Sequence, residues 1–347
     1  MLAAETKPVP VPAPPSVDTS FAWRQIVEPV EPFLQAVSKR LAEQVNEFEP
    51  SIAAYARYAL TAQGKQLRPL LVSLSADAVG TLKDSHITVA AIIEMVHLAT
   101  LVHDDVIDEG EIRRGRPTLA ANWGNEISVL LGDCLFAQAL TLASRFPTPE
   151  ICRAVAMATN TVCSGEILQT QRRRDFAITR ADYFQMVAMK TAELFALSCD
   201  LGGCEAGAAP RQREALRQFG LALGTAYQIY DDCVDLFGAE SDAGKSLGTD
   251  LAKGKLTLPL LVVLERSDSS GRKRFRDQVQ SWKHESLPEM LETLESVGAL
   301  QECRRVVRQY LGAAREHLSI LPASEARAGL SGLTEFLGAQ LDALRHF

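Results

Sequence analysis

The residues of this chain that could do chemistry concentrate in a short pattern that occurs twice: Asp104-Asp105-Val106-Ile107-Asp108 and Asp231-Asp232-Cys233-Val234-Asp235. In each, the first and last Asp are spaced i and i+4. On a helix they share one face about 6 Å apart along the axis, with the middle carboxylate turned roughly 100° away. Each pattern ends an apolar stretch, MVHLATLV before the first and FGLALGTAYQIY before the second. The C-terminal end of a helix carries partial negative charge and disfavours aspartate, so something must offset the placement. Oxygen ligands without accompanying histidine pairs or thiolates suit Mg²⁺, with Mn²⁺ as a substitute. Mg²⁺ takes one or two carboxylates and completes its octahedron with water and phosphate oxygens. A single copy reads equally well as a solvated acidic helix end. Two acidic helix ends facing one another would repel unless divalent cations bridged them.

Cations able to receive a polyphosphate are present in the same chain. The segment GKQLRP at 64–69 sets Lys65 and Arg68 three apart at a helix start, beside Gly64, which permits close backbone approach. The same residues also read simply as a helix terminus. Arg113 and Arg114 follow Asp108 after an acidic turn, and two adjacent guanidinium forks can address different anions or form a solvated cluster. Further on come Lys190-Thr191 in MKTAELF, Gln228 three residues before Asp231, and Lys245 and Lys255 in KSLGTDLAKGK. Each lysine is by default a surface residue. No Ser-His-Asp or Cys-His constellation stands out, so no covalent nucleophile is indicated.

The elements that must position these residues are helices. Of 347 residues, 47% are hydrophobic and 23% charged, which fits a folded globular chain and excludes a mainly disordered or collagen-like one. From Trp23 onward, apolar residues recur at three- and four-residue spacing in Ala/Leu/Glu/Arg-rich stretches. The pattern predicts an all-α chain with helices over 24–47, 50–63, 67–80, 87–108, 125–145, 149–172, 180–202, 211–238, 255–266, 271–283, 287–315 and 323–346. Prolines and glycines separate them without a long linker, which favours one domain over 21–347. Residues 1–20, with KPVPVPAPP at 7–15, are expected to be a disordered tail. Thirty-six Lys+Arg against 43 Asp+Glu give a net charge of −7, so nucleic acid is not an expected partner, although a local basic pocket is compatible. Seven scattered cysteines without a C-x-x-C pair suggest neither a disulfide framework nor a zinc site. With no secretory signal pattern and no uninterrupted apolar run of about 18 residues, the expectation is a soluble, cytoplasmic protein.

Taken together, GKQLRP, EMVHLATLVHDDVIDEGEIRRGRPT at 94–118, LGDCLFAQA at 131–139, MKTAEL, YQIYDDCVD and GTDLAKGKLTLP resemble the all-trans isoprenyl diphosphate synthases, the polyprenyl synthetases. The resemblance covers most of the chain, and it is greatest toward the long-chain octaprenyl and solanesyl diphosphate synthases. It implies the isoprenoid synthase fold, a bundle of roughly a dozen helices around a deep cavity, usually a homodimer, with peripheral membrane contact for product release as a further expectation. It implies isopentenyl diphosphate on Lys65, Arg68, His97 and Arg114, next to Gly64. The allylic diphosphate would lie near Arg113, Lys190, Thr191 and Gln228, with Lys245 and Lys255 as further cations. Mg²⁺ would be held by Asp104, Asp108 and Asp231, with Asp105, Asp232 and Asp235 as further ligands or supports. His97 matches the family's E-x-x-H pattern through Glu94. The chain departs from the family at Gln63, where a second glycine is usual.

Product length follows from the helix before Asp104. One isoprene unit spans four main-chain carbons, roughly one helical turn of about 5.4 Å. Short-chain members usually carry bulky aromatics four and five residues before the first Asp; here those positions are Thr100 and Ala99. Val96, Ile92 and Ile93 are deeper candidate stops, and Leu135 or Phe136 could close a tunnel from the next helix. The expected product is longer than geranylgeranyl, in the hexaprenyl to decaprenyl range, for quinone side chains. Three alternatives remain: a geranylgeranyl or farnesyl diphosphate synthase, a terpene cyclase, and a non-catalytic partner subunit of a heteromeric synthase. Such subunits often lack one or both aspartate patterns, and both are intact here.

Overall fold

A computed structural model describes residues 19–61, 64–238 and 247–344. Most of the expected tail, Gln63 and Lys245 lie outside the described residues. In chain order the elements are α1 (Thr19–Val27), α2 (Glu31–Gln44), α3 (Ala53–Leu60), α4 (Leu67–Val79) and α5 (Asp84–Ile107). A two-residue hairpin, β1 (Ile112–Arg113) and β2 (Arg116–Pro117), leads to α6 (Leu119–Trp123), α7 (Asn125–Ser144), α8 (Glu150–Gln171) and α9 (Arg180–Val187). A π turn (Ala188–Ala192) joins α9 to α10 (Glu193–Glu205), followed by α11 (Pro210–Phe237) and α12 (Thr249–Ala252). The chain closes with α13 (Leu258–Arg266), α14 (Ser269–Gln280), α15 (Leu287–Ser296), α16 (Ala299–Leu318) and α17 (Glu325–Ala343). The all-α expectation is met.

The middle of the bundle is α5. Val89 to Ile93 are five consecutive residues with no exposed surface, so this stretch is apolar and covered on every side, as a core helix must be. It packs on α4, α7 and α10, while α11 packs on α10 and α16. By length and hydropathy α5 and α7 would each suffice to cross a bilayer, although neither is an uninterrupted apolar run. In α5 67% of the apolar window is buried against other helices, in α7 39%. The apolar side chains buried along these helices each contribute roughly 1.5–3 kcal/mol, which is what holds the polar ends of α5 and α11 in place.

Three differences from the expected helices bear on the site. The continuous helix over 180–202 is interrupted by the π turn, whose extra residue shifts the helix phase between Lys190 and the rest of α10. The helix over 287–315 splits at Val297-Gly298, where Gly298 takes a left-handed φ of 65°. The hairpin after Asp108 reverses at Arg114 (φ 51°) and Gly115 (φ 72°), two successive left-handed residues as in a type I′ turn.

Candidate active site

A cavity of about 1210 Å³ opens among α4, α5, α8, α9, the π turn and α11. The last turn of α5 brings Asp104 and Asp105 to its wall, and Asp108 caps that helix with its N–H on the Asp104 carbonyl at 2.8 Å. Across the cavity, α11 presents Gln228, Asp231 and Asp232. The sequence therefore brings both aspartate patterns to one space from elements more than a hundred residues apart in the chain.

Each carboxylate of the first pattern has a cationic partner. Lys190 Nζ lies 3.6 Å from Asp104 Oδ2; it also contacts Glu166 and donates to Gln169 Oε1 at 2.9 Å. Arg113 Nε donates to Asp105 Oδ1 at 2.7 Å, yet burial outweighs this pairing and moves the Asp105 carboxyl upward. Asp108 takes three cations: Arg173 Nη2 at 2.8 Å on one oxygen, and Lys255 Nζ at 2.8 Å and Lys253 Nζ at 3.3 Å on the other. Burial opposes ionisation there, but Lys255, Lys253 and Lys190 hold Asp108 down at about 2. Lys255 is itself stabilised as a cation: burial works against its charge, and Asp250 and Asp108 overcome it.

The surroundings of the second pattern are not uniform. Asp231 is exposed to the cavity. Asp232 is buried and both its oxygens are engaged, by Tyr183 Oη at 2.6 Å and Gln228 Nε2 at 2.8 Å. Gln228 in turn accepts from Thr191 Oγ1 at 2.8 Å. Burial, with Asp250 nearby, pushes the Asp232 carboxyl well above the usual carboxylate range. Asp235 does not line the cavity. Its oxygens accept from Thr249 Oγ1 at 2.6 Å and Asp250 N at 3.1 Å, so it anchors the start of α12.

On another stretch of the wall, Lys65, Arg68, Glu94, His97 and Arg114 share the same cavity. The Arg68 guanidinium sits 5.1 Å from the Phe195 ring centroid and beside Glu94, whose carboxyl is raised by burial against the pull of Arg68 and Arg114. Burial, then Arg68, Arg114 and Arg113, push His97 well below its ordinary value, which leaves a neutral ring able to donate one N–H. Gly64 fits because the Arg114 guanidinium lies against it: a Cβ there would fall 2.5 Å from Arg114 Cζ.

The expected chain-length residues divide. Thr100 and Phe136 line the cavity. Ala99, Val96, Ile92, Ile93 and Leu135 do not; all are at most 1% exposed and packed in the helical core. The reason is helix phase. Ala99, five residues before Asp104, lies about 140° around the helix from it, whereas Thr100 lies within about 40°.

Several site residues escaped the sequence reading: Glu166, Gln169, Arg173, Tyr183, Asp250 and Lys253, all on the cavity wall or bonded to residues that are. The run Arg172-Arg173-Arg174 and the Asp250 and Lys253 of GTDLAKGK were the available signals.

Among the described residues, no three His, Cys, Asp or Glu side chains are assembled as a ready-made metal cage. Oxygen donors in pairs on two facing helix ends fit Mg²⁺ shared with a phosphate, since that ion keeps waters and substrate oxygens in its shell.

Residues 49–296 match the family model described as polyprenyl synthetase. The chain belongs to this family. Among similar proteins of this family is the octaprenyl diphosphate synthase of Escherichia coli, 34% identical over 301 residues, which are 86% of this chain and 93% of that one. A short chain isoprenyl diphosphate synthase of Methanothermobacter thermautotrophicus is 31% identical over 318 residues, 90% of this chain and 98% of that one. In three dimensions the polyprenyl synthetase chain superimposes on a polyprenyl synthase of Caulobacter crescentus complexed with calcium and isoprenyl diphosphate. The TM-score is 0.86 at 32% identity, covering 94% of this chain and 98% of the other.

Proposed function

We propose that the chain is a long-chain (E)-polyprenyl diphosphate synthase, adding isopentenyl diphosphate to an allylic diphosphate. The observation that carries the reading is the pairing, in one cavity, of two carboxylate-bearing helix ends with cations from four separate segments. Asp104, Asp108 and Asp231 are the proposed holders of Mg²⁺, which when bound would neutralise charge on a departing diphosphate as a Lewis acid. Arg113, Lys190 and Lys255 bind that diphosphate and stabilise the charge growing on it, and Lys245 is assigned to the same group from the resemblance. Thr191 and Gln228 turn oxygen dipoles toward the allylic cation left behind, and the apolar walls keep water from quenching it. Lys65, Arg68, neutral His97 and Arg114, with Gly64 giving room, hold isopentenyl diphosphate so that its double bond attacks the allylic C1. A proton then leaves to the released diphosphate. Asp105 fixes Arg113, Asp232 fixes Gln228, and Asp235 fixes α12.

Length is read from Thr100. It faces the cavity one turn before Asp104 without an aromatic ring, so a growing chain can pass it, while Phe136, packed against His103, lines the same cavity from α7. The cytoplasm is the proposed location and quinone side chains the proposed use. A homodimer is supported by α7, where Val129 and Leu130 are 41% and 61% exposed on an apolar helix, and product release by peripheral contact with a membrane. Inorganic pyrophosphate release measured with both substrates and Mg²⁺ tests the reading: release must need both diphosphates together, and release from neither would refute it.

A further inference from the structure

Resting on the reading just given, we infer that Arg173 and Lys253 are diphosphate-binding residues, which together with Lys255 form a three-cation clamp for the leaving diphosphate. Asp108 holds their place until that anion arrives.

The charge balance points this way. Three cations converge on the single carboxylate of Asp108, with contacts of 2.8, 2.8 and 3.3 Å. Asp250, 3.5 Å from Lys255, adds one further negative charge. Glu166 and Asp105 also act on Lys255 and Lys253, but the Asp108 carboxylate itself carries more cationic contacts than its one charge balances. Asp108, Lys253 and Lys255 line the cavity, with Arg173 just outside its lining, and an added anion there would share in holding these cations. Arg173 carries a second sign of an absent partner. Its Nη2 is engaged, but its Nε is buried and has no acceptor, so one edge of the guanidinium fork is unused. A diphosphate offers the several acceptor oxygens that such a fork addresses two at a time.

The clamp is built into the backbone. Arg174 is held in a left-handed conformation (φ 57°) and donates its N–H to the Gly254 carbonyl at 2.7 Å. Gly254 has φ 75°, and a Cβ on it would fall 2.6 Å from Arg174 Cγ, so the residue there must be small. This interlock joins the segment after α8 to the segment after α12. Arg173 precedes one side of it, and Lys253 and Lys255 flank the other, so all three cations are aimed at one point. If Asp108 turns to a divalent cation shared with substrate, the same three groups are left facing the diphosphate oxygens.

The competing assignment is that Arg173 merely neutralises Asp108. Binding of inorganic pyrophosphate at fixed Mg²⁺, by calorimetry, separates the two because they differ in sign. For Arg173→Gln the clamp requires at least about a ten-fold loss of pyrophosphate affinity and a shallower salt dependence of binding, with partial recovery in Arg173→Lys. The charge-matched Arg272→Gln, on the exposed face of α14, should bind like wild type. Unchanged or tighter pyrophosphate binding in Arg173→Gln would overturn the inference, since removing a mere counter-ion frees Asp108 for the metal. Should Arg173→Gln fail to fold by circular dichroism, Lys253→Gln carries the same test with the same expected direction. Wild type that elongates prenyl chains and binds pyrophosphate, with variants indistinguishable from it, would sink the clamp alone; wild type that does neither would sink the function with it.

Discussion

Lys190 Nζ stands 3.6 Å from Asp104 Oδ2, although one residue belongs to a π turn and the other to the last turn of α5. Within the π turn, Lys190 turns to Asp104 and the neighbouring Thr191 to Gln228. One short irregularity thus serves both acidic helices at once.

That relationship predicts a division between the two substrates. Lys190→Ala is expected to raise the KM for the allylic diphosphate and lower kcat, whereas Lys65→Ala, exposed at the other end of the cavity, should mainly raise the KM for isopentenyl diphosphate. Steady-state kinetics with each substrate varied in turn checks this. Equal effects of both variants on both substrates would contradict it.

The carboxylates should be indispensable. Asp104→Ala and Asp231→Ala are each expected to lower turnover by orders of magnitude while leaving the helical circular dichroism intact, because both face the cavity rather than the core. Asp235→Ala should behave differently. It frees the Thr249 hydroxyl and Asp250 N–H, so thermal stability falls by about 1–3 kcal/mol and the remaining activity tracks the folded fraction. Near wild-type turnover in the first two variants would remove them from the chemistry.

Thr100, not Ala99, is the position to plug. Thr100→Phe should shorten the products toward farnesyl or geranylgeranyl diphosphate, read by chromatography of the dephosphorylated chains. Ala99→Phe should instead overpack a fully buried site and cost about 1–3 kcal/mol or more, read by denaturant midpoint. An unchanged product ladder in a folded Thr100→Phe variant would defeat the tunnel argument.

Much of this site was legible in the sequence because its clearest signals are local. The i,i+4 aspartates lie within about one turn of helix, where spacing fixes relative direction, and GKQLRP and the Lys-Thr pair each place their polar groups within a few residues of one another. What was not legible depends on how separate helices meet. Glu166 and Gln169 look like an ordinary polar stripe of α8 until Lys190 is seen against them. Tyr183 gains a role only by reaching Asp232 across 49 positions. That Thr100 rather than Ala99 lines the cavity follows from helix phase and not from distance to the aspartate, and the π turn has no composition that announces it. Asp235 shares its pattern with Asp231, but its surroundings give it another task.

A pH signature is expected from the far side of the bundle. Glu302 on α16 accepts from Arg305 and Arg180, each at 2.7 Å, and from Arg266 at 3.0 Å. Arg305 above all, with burial opposing and Arg180 assisting, holds its carboxyl at about 2. An unfolded glutamate titrates near about 4.3, so the folded value is depressed. The stability it gives is complete above that unfolded value and is lost as pH falls from there through about 2. After allowance for solvent screening, the stability gap between wild type and Glu302→Gln should be about 1–2 kcal/mol near neutral pH and should close across that acid window in urea titrations. A gap independent of pH would contradict it.

The most direct test of the central claim is the product ladder made from farnesyl diphosphate and labelled isopentenyl diphosphate, resolved by reversed-phase chromatography. The account predicts all-trans products in the hexaprenyl to decaprenyl range, absent without a divalent cation and absent in Asp104→Ala. No elongation by the folded protein, or a ladder that stops at geranylgeranyl, would contradict it.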